Sequence, residues 1–308
     1  MINQHTADSL LSAVNEFAVK IRCFIEASKG WKRIGLSFSF GVCAVFALPP
    51  ANVLPLLILA FTGLIWLIAS SSSIRQAIAV GWTFGFGYFI FSCYWVGSAM
   101  LLDANKFAWL AFPAVVALCA GLSIFSALAT LIVFISGRTG LSRLILFSVS
   151  WAFTEWLRGE ILTGFPMNPI GSAWSLTDGM LQSVALFGTY GLSLLTVLCA
   201  SLAALLGEKK QAHEKVKFLG PIIILFLVAL IAIGGNVRLW LHPVPSLTNV
   251  RLMIVQANIK QELKWDPLTR KKALEKHVSM TIKARPAENT YIIWPETAIA
   301  SKFHLANN

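Results

Sequence analysis

The chain has 308 residues, 56% of them hydrophobic and only 13% charged, with 11 Trp and 21 Phe. A soluble domain carries about 25% charged residues, so the composition excludes an ordinary water-soluble globule and points to a membrane protein. Lys and Arg outnumber Asp and Glu by 25 to 14, but they sort by loop as insertion into a bilayer requires, which argues against a nucleic-acid partner.

Residues 8–28 lack the continuous apolar core and small-residue cleavage site of a signal peptide. Leu10, Val14, Phe17, Ile21, Phe24 and Ile25 recur at helical spacing, with Glu16, Lys20, Arg22 and Glu26 between them. The pattern fits an amphipathic helix lying on the membrane surface, or one packed against other cytoplasmic structure. Residues 1–33 are read as this cytoplasmic segment.

Seven apolar segments follow within 34–237, at about 34–48, 54–70, 77–101, 108–136, 143–158, 181–206 and 217–236. Most reach the roughly 20 residues that cross a bilayer as a helix. Before the first segment and in the second, fourth and sixth loops stand 12 Lys and Arg; the first, third and fifth loops hold Lys106 and Arg158 alone. Positive residues mark the cytoplasmic side, which places the N-terminus inside and the chain beyond about residue 237 outside. The five cysteines lie in apolar surroundings, with no metal-ligand spacing and no disulfide framework. No metal or cofactor is expected.

The fifth loop stands out. Glu155-Trp156-Leu157-Arg158-Gly159 closes one segment and Leu162-Thr163-Gly164-Phe165-Pro166-Met167-Asn168-Pro169 follows. Glu155 and Arg158 are three apart, so a helix sets them on one face and pairs them. Ionisable groups at this depth are functional candidates, and a structural ion pair is the competing reading. The Gly/Pro/aromatic run suits an interfacial or re-entrant loop buried against other helices.

Composition changes at about residue 238. A linker occupies 238–249, with Pro243 and Pro245, and residues 250–308 read as water-exposed, carrying ten of the 25 Lys and Arg. A strand is predicted at Val250–Gln256, a helix from about Leu268 to Lys283, and a strand at Thr290–Trp294. The second strand runs into Pro295, which cannot donate to a ladder, and then into Glu296. A residue at the end of a buried strand sits at the sheet edge, where α/β enzymes build their sites.

Val255-Gln256-Ala257-Asn258-Ile259, Lys264-Trp265-Asp266-Pro267 and Ile293-Trp294-Pro295-Glu296-Thr297-Ala298 together resemble the opening of the nitrilase (carbon–nitrogen hydrolase) superfamily. Placed outside the membrane after a multi-span bundle with the fifth-loop motif, the ordered set is similar to bacterial apolipoprotein N-acyltransferases. The resemblance implies a bundle of eight helices, of which seven are read here, followed by an α-β-β-α sandwich carrying a Glu–Lys–Cys triad. It also implies transfer of an acyl chain from a phospholipid, through a Cys thioester, to the N-terminal amine of a diacylglyceryl-cysteine apolipoprotein in the bacterial inner membrane. By position Glu296 matches the general base, and Trp265 matches a Trp lining the site, unless it serves as a core Trp capping the following helix. Asn258 reads as a turn former. A thiol attacks only as thiolate, so a carboxylate that takes its proton and returns it is what the chemistry needs.

Twelve residues follow Glu296; Lys302 among them is too close to match the family's lysine, and no Cys follows Cys199. The polypeptide alone is therefore expected to be inactive: a truncated product, or one part of a split enzyme completed by a separate downstream polypeptide. The strand edges that 59 residues leave unpaired are expected to invite proteolysis or aggregation. Two other readings compete: a non-catalytic membrane scaffold or transporter-like bundle, and a membrane-tethered amidase of the nitrilase class. The first lacks the paired repeats of transporters, and the second leaves the fifth loop unexplained.

Overall fold

A computed structural model describes residues 4–101, 104–206, 214–243, 250–259, 267–287, 290–295 and 298. The described residues form helices α1 (Gln4–Ala27), α2 (Gly30–Val45), α3 (Pro55–Ala69), α4 (Ile74–Ser92), α5 (Ala104–Ser136), α6 (Gly140–Glu160), α7 (Asp178–Leu181), α8 (Val184–Ser201) and α9 (Glu214–Leu241). Strand β1 (Arg251–Ile254), helix α10 (Pro267–Lys283) and strand β2 (Thr290–Ile293) follow. The chain divides into two compact units, Met1–Gly97 with Phe112–His242, and Ser98–Ala111 with Pro243–Asn308.

In the first unit α3 is the central helix. Pro55 opens it, where a missing N–H removes nothing from the helix; it is apolar all round, and from Ala60 to Ile68 it is buried all round, while Ile58 and Leu59 near its start are exposed. Phe61, Leu64, Ile65, Trp66, Leu67 and Ile68 are all core residues. Phe61 meets Phe84 of α4 and Phe147 and Trp151 of α6 in one aromatic cluster, with ring centroids 5.1–5.9 Å apart. Edge-to-face packing of this kind adds about 0.5–1.5 kcal/mol per pair beyond area burial.

Helices α2 and α4 pack through small residues. A Cβ at Gly41 would overlap the backbone carbonyl of Phe84, and one at Gly87 that of Phe38. Close backbone approach replaces the hydrophobic drive that lipid does not supply. Ser73 caps α4 by accepting from Gln76 N at 3.3 Å.

Among the described residues three helices are long and apolar enough to cross a membrane, Asn105–Ser136, Val184–Leu205 and Ile222–Leu241; Ile74–Ser92 joined to Tyr94–Leu101 makes a fourth. The stretch Ile222–Leu241 has a mean hydropathy of 2.4 and is 6% buried. Water would not tolerate so much bare apolar surface, whereas acyl chains do. The predicted segment at 77–101 is not one straight span, because the chain bends by 50° between α4 and the 3₁₀ turn Tyr94–Leu101. The segment predicted at 181–206 is broken at Gly188, whose φ of 70° is open to glycine alone at low cost.

The amphipathic pattern near the N-terminus forms α1. Ala18 and Ile25 are buried and Ile21 packs against the core, while Phe17 and Phe24 are exposed. The apolar stripe is thus split between a face on the bundle and a face turned away from it.

In the second unit β1 and β2 pair in parallel, Arg251 opposite Thr290 and Ile254 opposite Ile293, and the ladder continues as Val255 N donates to Ile293 O at 3.0 Å. A parallel pair requires a crossover, which α10 supplies. Asn258 sits past β1 at φ 48°, the left-handed region that Asn tolerates in turns.

Gly41→Val is expected to lower stability by about 1–3 kcal/mol, since a backbone carbonyl rather than a flexible side chain must move. Gly121→Ala, a helical site with open space around it, should be neutral or gain up to about 1 kcal/mol. Thermal unfolding in detergent separates the two.

Candidate functional site

The last two turns of α6 carry Glu155 and Arg158, 5% and 2% exposed, on one face of the helix as their spacing requires. They do not form the ion pair expected from that spacing; neither appears among the contacts within 4.0 Å between opposite charges. Each turns to a partner nearer its own end of the face. Glu155 Oε1 accepts from Trp151 Nε1 (3.0 Å) and from the backbone N of Ile170 (3.0 Å). Arg158 Nη1 donates to the carbonyls of Phe165 (3.0 Å) and Met167 (2.7 Å), and its guanidinium lies 5.1 Å from the Phe89 ring centre.

These bonds fold the fifth loop onto the bundle. Leu162, Thr163 and Gly164 all have positive φ, at 54°, 75° and 77°. For a β-branched Thr this is strained backbone, and strain persists only where surroundings over-determine it. Here Phe165 N donates to Arg158 O (2.8 Å) while Arg158 grips the next carbonyls. Asn168, also left-handed at φ 54°, donates Nδ2–H to Ser92 O (3.0 Å), and Tyr88 OH donates to Asn168 O (2.7 Å). Gly171 N donates to Ser193 Oγ (2.8 Å) and Trp174 Nε1 to Thr196 Oγ1 (2.8 Å), seating the 3₁₀ turn Ile170–Trp174 on α8. The run is tied to the bundle by these bonds but is not buried as its composition implied: Ile161, Leu162 and Met167 are exposed, and burial begins at Ile170, Gly171 and Ala173 of the following turn.

Glu155 Oε2 is buried and without a hydrogen-bond partner. Glu155, Arg158, Tyr88, Ser126 and Trp151 line a cavity of about 10 Å³, room for about one water molecule. A larger apolar cavity of about 240 Å³ lies among α3, α8 and α9, lined by Leu57, Ile58, Trp174, Thr196, Leu225 and Val228.

Sequence reasoning singled out Glu155, Arg158 and the run that contains Asn168, and missed Tyr88, Trp151 and Ser193. Their signal was faint: a hydroxyl or indole N–H inside an apolar run, where such a group needs a partner.

Trp265, Glu296 and Lys302 lie outside the described residues. Around Glu296 in sequence, Trp294 donates Nε1–H to Thr281 Oγ1 (3.1 Å), and Ala298, buried, donates its N–H to Pro295 O (2.9 Å).

An apolar helical bundle with a buried polar network at one loop, joined to a parallel β-α-β unit, defines a multi-pass membrane protein with an appended α/β segment. A family model described as the apolipoprotein N-acyltransferase N-terminal domain matches residues 40–202, just over half of the chain, and the chain belongs to that family. It is 34% identical over 281 residues to an apolipoprotein N-acyltransferase of Rhodopseudomonas palustris, covering 87% of this chain and 52% of the relative. It is 37% identical over 283 residues to that of Allorhizobium ampelinum (88% and 52%) and 36% over 288 residues to that of Brucella melitensis (88% and 52%). The chain spans about half the length of the curated relatives it matches. Matches this long exceed the bundle and run into the second unit.

Arg158→Leu is expected to destabilise the protein by about 1–3 kcal/mol, because two part-buried carbonyls lose their charged donor, and to speed proteolysis between residues 160 and 170. Glu155→Gln should stay within about 1 kcal/mol, since an amide oxygen accepts both existing bonds, while Glu155→Leu strands Trp151 Nε1 and Ile170 N at a similar cost per group. Limited proteolysis and thermal unfolding in detergent report both.

Proposed function

We propose that the protein transfers an acyl chain from a phospholipid, by way of a Cys thioester, to the N-terminal amine of a diacylglyceryl-cysteine apolipoprotein. The observation that carries this reading is the match to N-acyltransferases at 34–37% identity, which joins the bundle and the β-α-β unit in one alignment. The resemblance of Ile293-Trp294-Pro295-Glu296 to the nitrilase superfamily supports it further. In this reading Glu296 is the general base and Trp265 lines the acyl site. The Lys and Cys of the triad come from the part of the protein that corresponds to the relatives' remaining length, in the same polypeptide or a separate one. The exposed apolar faces of β1 and β2, including Leu252, Ile254 and Tyr291, fit strands that a fuller sandwich buries on both sides.

The bundle holds seven spans within 34–237; the linker expected from 238 starts only after α9 ends at Leu241 and runs to 249, and residues 250–308 open the nitrilase-like domain. The N-terminus is cytoplasmic and the β-α-β unit faces the periplasm across the inner membrane, a reading that rests on the distribution of Lys and Arg. Reporter fusions test it directly. Alkaline phosphatase joined near Ser72 should be inactive, and near Pro245 active; the reverse pattern rejects the orientation.

For the reaction, cells depleted of their own N-acyltransferase would receive these 308 residues alone, or together with the remainder. Lipoprotein N-acylation, read by mass spectrometry, is expected only with the remainder present. Acylation by the 308 residues alone would reject the assignment of the Lys and Cys. In the complete protein Glu296→Gln should lower the rate by roughly 10²- to 10⁴-fold, the usual contribution of a positioned base.

A further inference from the structure

Helix α10 and strand β2 meet through three side chains. Trp294, the first residue after β2, donates Nε1–H to Thr281 Oγ1 at 3.1 Å. The Thr281 hydroxyl donates to His277 O at 2.8 Å, so its hydrogen is committed and a lone pair is left for the indole. His277 is 3% exposed, and its Nδ1 lies 2.8 Å from Ala273 O. A carbonyl only accepts, so the proton is on Nδ1. The imidazole lies 5.5 Å from the Trp294 ring centre at 43°. His277 and Thr281 are four apart, so one face of α10 holds the indole by an edge bond and a ring contact together.

The chain on either side of the indole is also held. Upstream, Val255 N donates to Ile293 O and closes the ladder. Downstream, Pro295 has a fixed φ and its carbonyl accepts from the N–H of buried Ala298. Glu296 lies between these two anchored residues in sequence.

We propose that Trp294, gripped by Thr281 and His277, is the positioning residue for the Glu296 carboxylate in acyl transfer; this rests on Glu296 being the general base. A base works only within about 2.6–3.2 Å of the proton it takes, and a misplacement of about 1 Å can cost about 10²-fold in rate. Trp294 lies two residues before Glu296 in sequence and is held by α10 through Thr281 and His277. A Trp that merely fills the space between helix and strand would need the ring contact; the indole N–H bond sets its rotation and, with it, the direction in which the chain leaves the sheet.

The test uses the full-length protein with a fluorescent phospholipid as donor and a synthetic diacylglyceryl-cysteine lipopeptide as acceptor. Thr281→Val keeps the shape and removes the acceptor; Trp294→Phe keeps a ring on His277 and removes the donor. Each is expected to lower kcat about 10- to 100-fold with KM for phospholipid unchanged and the thermal midpoint within a few degrees of the parent. Thr281→Ser, which restores the hydroxyl, should recover most of the rate, and the Thr281→Val, Trp294→Phe double variant should be no worse than either alone, as members of one unit behave. Unchanged kcat in Thr281→Val, an equal loss in Thr281→Ser, or a loss that tracks the folded fraction would overturn the proposal. Glu296→Gln is run in parallel. If it stays active, the general-base reading fails and the proposal with it; if it is dead while Thr281→Val is normal, only the proposal fails.

Discussion

One carboxylate oxygen joins the core of the bundle to the loop between α6 and α7. Glu155 Oε1 accepts from Trp151, whose ring is packed among Phe61, Phe84 and Phe147, and from the backbone of Ile170, where the fifth loop re-enters the bundle. Three residues on, Arg158 satisfies two carbonyls of the same loop. In a medium without water each of these backbone groups needs a protein partner. The loop's shape, including its run of left-handed residues, follows from that constraint. A direct Glu155–Arg158 pair would have satisfied the two charges and left the loop unheld.

The bundle solves two packing problems by different means. Where helices touch, glycines bring α2 and α4 to backbone distance, and hydroxyls such as Thr130, donating to Ala77 O at 3.1 Å, bond across the interface. Where α9 faces outward, large apolar side chains such as Ile222, Phe226, Ile233 and Trp240 stand exposed. A soluble protein would bury them. Here they are the surface that matches lipid.

The β-α-β unit is organised around a different bond. A parallel strand pair without further strands is weak, yet α10 grips the end of β2 through the Trp294 indole. The point of attachment coincides with the place where the chain leaves the sheet toward Glu296. On either side of Glu296 in sequence, Ile293 O accepts from Val255 N and Pro295 O accepts from the N–H of buried Ala298.

Composition and periodicity determined, without coordinates, that the chain is a helical membrane protein with an α/β segment after it. The reason is that apolar run length, basic-residue sorting and the alternation of strand and helix patterns are local properties. They also set Glu155 and Arg158 on one helix face, because 3.6 residues per turn is fixed by the backbone. What those two residues bond to was decided by tertiary structure, since Ile170, Phe165 and Met167 reach them only after the loop has folded back. The break at Gly188 and the bend after Ser92 were likewise invisible to hydropathy, which averages over positions that a single φ angle can interrupt. Tertiary structure also chose Thr281 and His277 as the partners of Trp294: their spacing on α10 showed that they share a face, and only the crossover against β2 showed what that face holds.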